Sequence, residues 1–334
     1  MNPPRNHPKH LPTVFRRVIS YAAIGAAIAI AACSPAGRTD SIKEAAKPNV
    51  LTTAYSLKAD APNRTVRVGV LAFDKAALVH LRYRPLLDHL AEATGRSFTL
   101  VPLTQSSQFS KVASQDLHFV ITNPLASVQL RRLYGTAFIA TQVRPKTGAS
   151  FAGLIVVKRN SPIKALKDLR GKRVACVNFQ TAAGGCVFQI HHLQQQGIDP
   201  YRDFSRFIEI RSQDSIVLGV LNDSLDAGFI RTGQLEQMVT NDLINSASDL
   251  RILEPKQDNF HYRHTTDLYP EWAVAVLRQT DSTLTATVEN SLLSLPPDYP
   301  ALVSAGLAGF EPAQDYASVE ALVEQLRLKG WDTD

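Results

Sequence analysis

The stretch GKRVACVNFQTAAGGCVFQIHHLQQQ, residues 171–196, runs from a strand through a small-residue turn into a helix. GKRVACVNF (171–179) is rich in β-branched and aromatic residues, and from about Ala183 to Gln196 the chain holds helix formers for more than three turns. The same alternation continues on both sides. Upstream lie TVRVGVLAF (65–73), a helix from about Leu81 to Ala93, SFTLVPL (97–103), DLHFVITN (116–123) and a helix through Ala126–Tyr134. Around the quoted unit lie FAGLIVVK (151–158), FSRFIEI (204–210), a helix from about Asp214 to Asn222 and SLDAGFI (224–230). Short strands alternating with helices predict an α/β protein with parallel sheets, and the two groups predict two sheets. From about Ser282 the tail reads as proline-punctuated helices packed on the outside of a lobe.

The beginning of the chain has a different character. Arg16 and Arg17 precede an uncharged run from Val18 to Ala32, shorter than the roughly 20 residues a spanning helix needs, so residues 1–32 read as an export signal. Ile30-Ala31-Ala32-Cys33 resembles a bacterial lipobox, which makes Cys33 the expected lipidated first residue, followed by Ser34; an ordinary signal peptide is the alternative. Residues 33–63 carry no sustained period and read as a lipid anchor and flexible tether. The formal charge of +6 falls to +2 without Arg5, Lys9, Arg16 and Arg17. A nearly neutral exported chain without a long basic run is not expected to bind nucleic acid.

No GxxxxGK[ST], strand-linked GxGxxG, GxSxG or HExxH occurs, so neither catalysis nor a cofactor is expected. Cys176 and Cys186 are either a disulfide or two separate buried residues, and they lack zinc-ligand spacing. His191, His192, His261 and His264 read as surface or pocket-wall residues, with no metal expected.

Three strand ends suit an anion. In NFQTAAGGC (178–186), Thr181 reads as an N-cap, and the backbone N–H groups around Gly184 converge at the positive end of a helix. Thr122-Asn123-Pro124 ends a buried-looking strand, with proline suited to a first helical turn. Arg231 follows the strand SLDAGFI and carries a forked donor array suited to an oxyanion. Ligands of open α/β sheets sit beyond the carboxyl ends of strands, so these ends are expected to face one cleft.

YRPLLDHLAEATG, DLHFVITNPLASVQLRRLYG, SPIKALKDLRGKRVACVNFQTAAGG, QQGIDPYRDF and LNDSLDAGFIRTGQLEQM together resemble the phosphate/phosphite/phosphonate-binding branch of periplasmic solute-binding proteins. VITNPLASVQL, AGFIRT and LYPEWAVAVLRQT are similar to the sensor-type members that form the periplasmic part of histidine kinases, such as the tetrathionate sensor. The resemblance implies the type II periplasmic-binding fold: two α/β lobes, a hinge of two crossovers and an interlobe cleft. The expected boundaries are 64–152 for lobe 1, 153–250 for lobe 2, and 251–334 for the return to lobe 1 with C-terminal helices.

Relative to the phosphonate binders, Thr181-Ala182-Ala183-Gly184 stands in place of a Ser-Thr-Ser-Gly run, and Arg231 in place of an acid. Arg211-Ser212-Gln213-Asp214 replaces a histidine-containing segment. These departures favour a fully ionised oxyanion, since a buried acceptor would repel it and a buried arginine needs an anion. The expected contacts are Thr122, Asn123, Thr181, Gly184 and Arg231, with Tyr83 and Tyr269 on the walls. The expected function is a lipid-anchored periplasmic protein that binds a small oxyanion, without enzymatic activity, and serves an ABC permease. The alternative is a ligand-sensing or docking lipoprotein that signals to a histidine kinase or membrane complex, with a sulfur oxyanion or no ligand; no kinase follows before the sequence stops at Asp334.

Overall fold

The computed structural model describes residues 65–72 and 76–331. The expected signal sequence, the expected lipidation site Cys33 and the expected tether lie outside the described residues. The first lobe opens with β1 (Val66–Leu71), α1 (Ala76–Thr94), β2 (Phe98–Leu103), α2 (Ser107–Ala113), β3 (Phe119–Thr122), α3 (Pro124–Tyr134) and β4 (Ala137–Val143). The chain crosses through β5 (Ser150–Phe151) into β6 (Gly153–Lys158), β7 (Arg173–Cys176), a π-helical turn (Ala183–Val187) and α4 (Phe188–Gln195). α5 (Pro200–Asp203), β8 (Arg206–Glu209), α6 (Gln213–Leu221), β9 (Ala227–Arg231), α7 (Gln234–Thr240) and β10 (Leu250–Ile252) follow. It returns through β11 (Tyr269–Pro270) to β12 (Ala273–Val276), α8 (Ser282–Leu293), α9 (Pro300–Ala305), β13 (Gly309–Glu311) and α10 (Ala317–Gln325).

The strands form two main sheets, ordered β13-β4-β12-β3-β1-β2 and β10-β6-β9-β7-β8, and β5 pairs antiparallel with β11 as a two-stranded link. Both main sheets are mixed rather than parallel throughout. β1, β2 and β3 run parallel, as do β7, β8 and β9, whereas β12 and β6 run against their neighbours. The direction follows from the crossings. Phe151 and Trp272, just before β6 and β12, line the cleft, so each crossing strand starts where the parallel strands end.

Helices cover both faces of each main sheet, which explains why strands such as β3 and β12 are buried at every position. In the first lobe Val66, Val68 and Val70 share a core with Leu86 and Leu90 of α1 and Val288 and Leu292 of α8. Val120 belongs to the opposite core with Phe109, Ala126 and Leu130. In the second, Leu154 and Val156 join the core of α6 and α7, whereas the alternating Ile155 and Val157 join that of Phe188 and Ile190. Among the described residues no helix is long and apolar enough to cross a membrane.

Two parts of the expected organisation change. β10 pairs with β6, and Thr265 N donates to the Gly153 carbonyl, so the second lobe keeps the chain past residue 250 to about Thr266. The last helix does not lie on the outside of one lobe. α10 packs on α3 of the first lobe, while Gln325 Oε1 lies 3.0 Å from His191 Nε2 on α4 of the second. Val319, Leu322 and Val323 form the apolar stripe that makes this bridging position favourable.

Candidate functional site

A cleft of about 510 Å3 opens between the lobes. It lies beyond the carboxyl ends of the parallel strands of both sheets. Leu71 ends β1 and Ala72 follows it, Gln105 follows β2 and Asn123 follows β3; Arg231 ends β9, and Ser212-Gln213-Asp214 follow β8.

Asn123 is the N-cap of α3, its Oδ1 accepting from Ala126 N at 3.1 Å, and Pro124 takes the first helical position, where no N–H is required. Its Nδ2 crosses the cleft floor to donate to the Thr181 carbonyl at 3.0 Å, joining first lobe to second. Thr122 does not line the cleft. It is fully buried and donates through Oγ1 to Gln108 Oε1 at 2.7 Å, and Gln108 Nε2 donates to the carbonyl of Gln105, which does line it.

The small-residue turn differs from its expected form. Asn178 Oδ1 accepts from Gln180 N, Thr181 N and Thr181 Oγ1, so the threonine hydroxyl closes the turn and does not cap the helix. The N-cap position falls to Ala182, which has no side chain to offer. Ala182, Ala183, Gly184 and Gly185 all line the cleft; Ala182 N donates to the Asn178 carbonyl, and the N–H groups of the three residues after it lie beyond the reach of the helix's own carbonyls. Glycine at 184 is required: an added Cβ would stand 2.9 Å from Phe151, 3.0 Å from the Ala152 carbonyl and 3.2 Å from Arg231 Cβ. Gln189, fully buried on α4, fixes this turn against the sheet by donating to the carbonyls of Gly184, Leu154 and Ile230. Cys176 and Cys186 form a disulfide that joins the end of β7 to the π-helical turn and closes the loop between them.

Arg231 lines the cleft half-buried. Its Nη1 donates to the Thr232 carbonyl at 2.9 Å and its Nη2 to Gln237 Oε1 at 2.8 Å, which fixes the guanidinium against the wall. Its backbone N donates to Gln213 Oε1, so the start of α6 is tied to the end of β9. The two tyrosines lie elsewhere. Tyr83 is buried under the first lobe, its hydroxyl accepting from Gln142 Nε2. Tyr269 stacks on Phe188 at 3.8 Å in the link between lobes, and burial raises its pKa.

Of the seven expected contact residues, the structure therefore brings Asn123, Gly184 and Arg231 to the cleft and keeps Thr122, Thr181, Tyr83 and Tyr269 behind it. It adds Arg82 from α1, Arg211, and Asp214, whose Oδ1 accepts from Gln234 Nε2 at 2.6 Å. Three arginines against one carboxylate leave the lining positive. The strand-end reasoning that found Arg231 applies equally after β8 and would have found Ser212-Gln213-Asp214. Arg82 carries no such sign, because on α1 it resembles its exposed neighbour Arg84, which pairs with Asp88. His191, His192 and His264 are buried and do not line the cleft, whereas His261 is exposed as expected. Among the described residues no cluster of three or more histidine, cysteine or acidic side chains is arranged to hold a metal.

Two lobes of mixed α/β sheet around such a cleft define the type II periplasmic-binding-protein class. The chain belongs to the family described as the phosphonate ABC transporter periplasmic substrate-binding protein, whose model matches residues 68–317. A family of substrate-binding proteins is a periplasmic family and not an enzyme family. The chain is also 27% identical over 268 residues to the tetrathionate sensor histidine kinase TtrS of Salmonella typhimurium, covering 79% of this chain but 44% of that protein. Its fold is that of PhnD1 from Prochlorococcus marinus in complex with methylphosphonate, at a TM-score of 0.63, 18% identity, and 80% and 99% coverage of the two chains. A Xanthomonas citri protein bound to ATP has the same fold, at a TM-score of 0.64, 20% identity, and 79% and 98% coverage.

Proposed function

We propose that this protein is a lipid-anchored solute-binding protein that captures a small oxyanion of the phosphate, phosphite or phosphonate type in the cleft and delivers it to an ABC permease. The observation that carries the reading is the gathering of Arg82, Arg211 and Arg231 with the open helical turn that begins at Ala183 in one cleft between two lobes. Cations and backbone donors aimed at one volume favour an anion, and the low dielectric of a closed cleft strengthens each contact. Anchorage through Cys33 belongs to the same proposal; a Cys33→Ala protein recovered in the membrane fraction like the wild type would refute it.

The likeness to a tetrathionate sensor kinase favours a second reading, in which a sulfur oxyanion is sensed for a kinase. Both readings require anion binding, and a thermal-shift screen of folded, ligand-free protein against phosphate, phosphite, methylphosphonate, sulfate, thiosulfate and tetrathionate tests it. At about 100 times its Kd the correct anion adds roughly 2.7 kcal/mol of stability, a rise of several degrees. The rise should disappear in Arg231→Ala. Stabilisation by none of these anions would contradict both readings in favour of a docking lipoprotein without ligand.

A further inference from the structure

The cleft's volume of about 510 Å3 is in the range of sites that enclose organic ligands rather than a bare tetrahedral ion. Its lining also changes character along one helix. Gln234, Gln237 and Asn241 lie along one side of α7 and its cap, all line the cleft, and pass from buried through half-buried to exposed. The cleft therefore opens outward along α7, with the Arg231 guanidinium held against Gln237 midway along it. At the outer end stands Leu243, which lines the cleft while 46% exposed. From the first lobe, Leu78 in the first turn of α1 lines it while 41% exposed, and Trp272 adds a third apolar surface.

A single exposed leucine carries no message. Two leucines from different lobes on one ligand cleft are a different arrangement, because closure around a tailed ligand would take both out of water together. We propose that Leu78, Leu243 and Trp272 form an apolar clamp that makes the protein prefer an oxyanion bearing a hydrocarbon tail of several carbons over an inorganic one. The inference rests on the reading of the cleft as an oxyanion site. From Gln237, which holds the Arg231 guanidinium, to Asn241 the helix rises about 6 Å, which sets the reach of the tail.

The test is titration calorimetry of the whole protein with phosphate and with methyl-, butyl-, hexyl- and octylphosphonate, repeated with the matching sulfonates. Affinity should rise by roughly threefold to fourfold for each added methylene until the tail passes the leucines. Both leucines are exposed enough for Leu78→Ser, Leu243→Ser and the double variant to fold, and the double variant should flatten the series. Binding that does not depend on tail length in the wild type would overturn the clamp while leaving the oxyanion reading intact. So would a loss by the same factor for every anion in the double variant, which would mean that the leucines meet each other on closure. Tighter binding of an α,ω-disulfonate than of an alkylsulfonate of equal length would also overturn it, assigning the outer end to Arg82 and Arg211. Binding of no anion at all would overturn the clamp and the oxyanion reading together.

Discussion

Arg231 and Asp214 line the same cleft with opposite charge, and each is held by a glutamine from α7. The sequence departures favour a fully ionised oxyanion because Arg231 stands in place of an acid, yet the folded chain supplies a carboxylate from the start of α6. A carboxylate there opposes a fully ionised ligand and accepts a hydrogen bond from a protonated one. Asp214→Asn is therefore expected to raise the affinity for a sulfonate or sulfate by roughly tenfold, measured by calorimetry at constant ionic strength. An unchanged affinity would mean that the carboxylate does not face the anion. Arg231 was legible because it follows a strand at the cleft end of a sheet. Thr181 misled for an equally local reason: Asn178, three residues earlier, takes its hydroxyl before a helix can.

At the level of elements, the strand–turn–helix unit at 171–196 and most of its counterparts stand where the sequence puts them, because hydrophobic period and length are local properties. Strand direction is not local. β6 and β12 read as ordinary apolar runs, and only the interlobe crossings make them antiparallel. β7 and β9 also show how the second sheet is secured away from the cleft. Arg173 donates from Nε and its backbone N to Asp226 Oδ2 and from Nη2 to Oδ1, and this hydrogen bonding holds the Asp226 carboxyl below its ordinary pKa. A carboxylate depressed in the folded state stabilises above its unfolded pKa, and the stabilisation is lost as pH falls through the folded value. Asp226→Asn should accordingly lower stability near neutral pH and flatten its decline below about pH 4. Chemical denaturation across that range checks both signs; an Asn variant with an unchanged acid limb would remove Asp226 from the account.

The described residues form two lobes joined by paired crossings, β5 against β11, with α10 bridging behind them. The two crossings were implied by the family resemblance and by no one segment, and the bridging by α10 was not legible at all, since it depends on which distant surfaces meet. The lobe count was visible, because each group of strands and helices carries its own core. The arrangement predicts that anion binding changes the surroundings of Trp272, which lines the cleft and is one of only two tryptophans in the chain. With Trp331 replaced by phenylalanine, Trp272 becomes the single fluorescent reporter, and titrating its emission with oxyanions is the most direct test of the central claim. The account predicts a saturable change with at least one oxyanion that is absent when Arg231→Ala is added in the same background. Emission that stays constant across all the anions, or a change that survives the loss of Arg231, would contradict it.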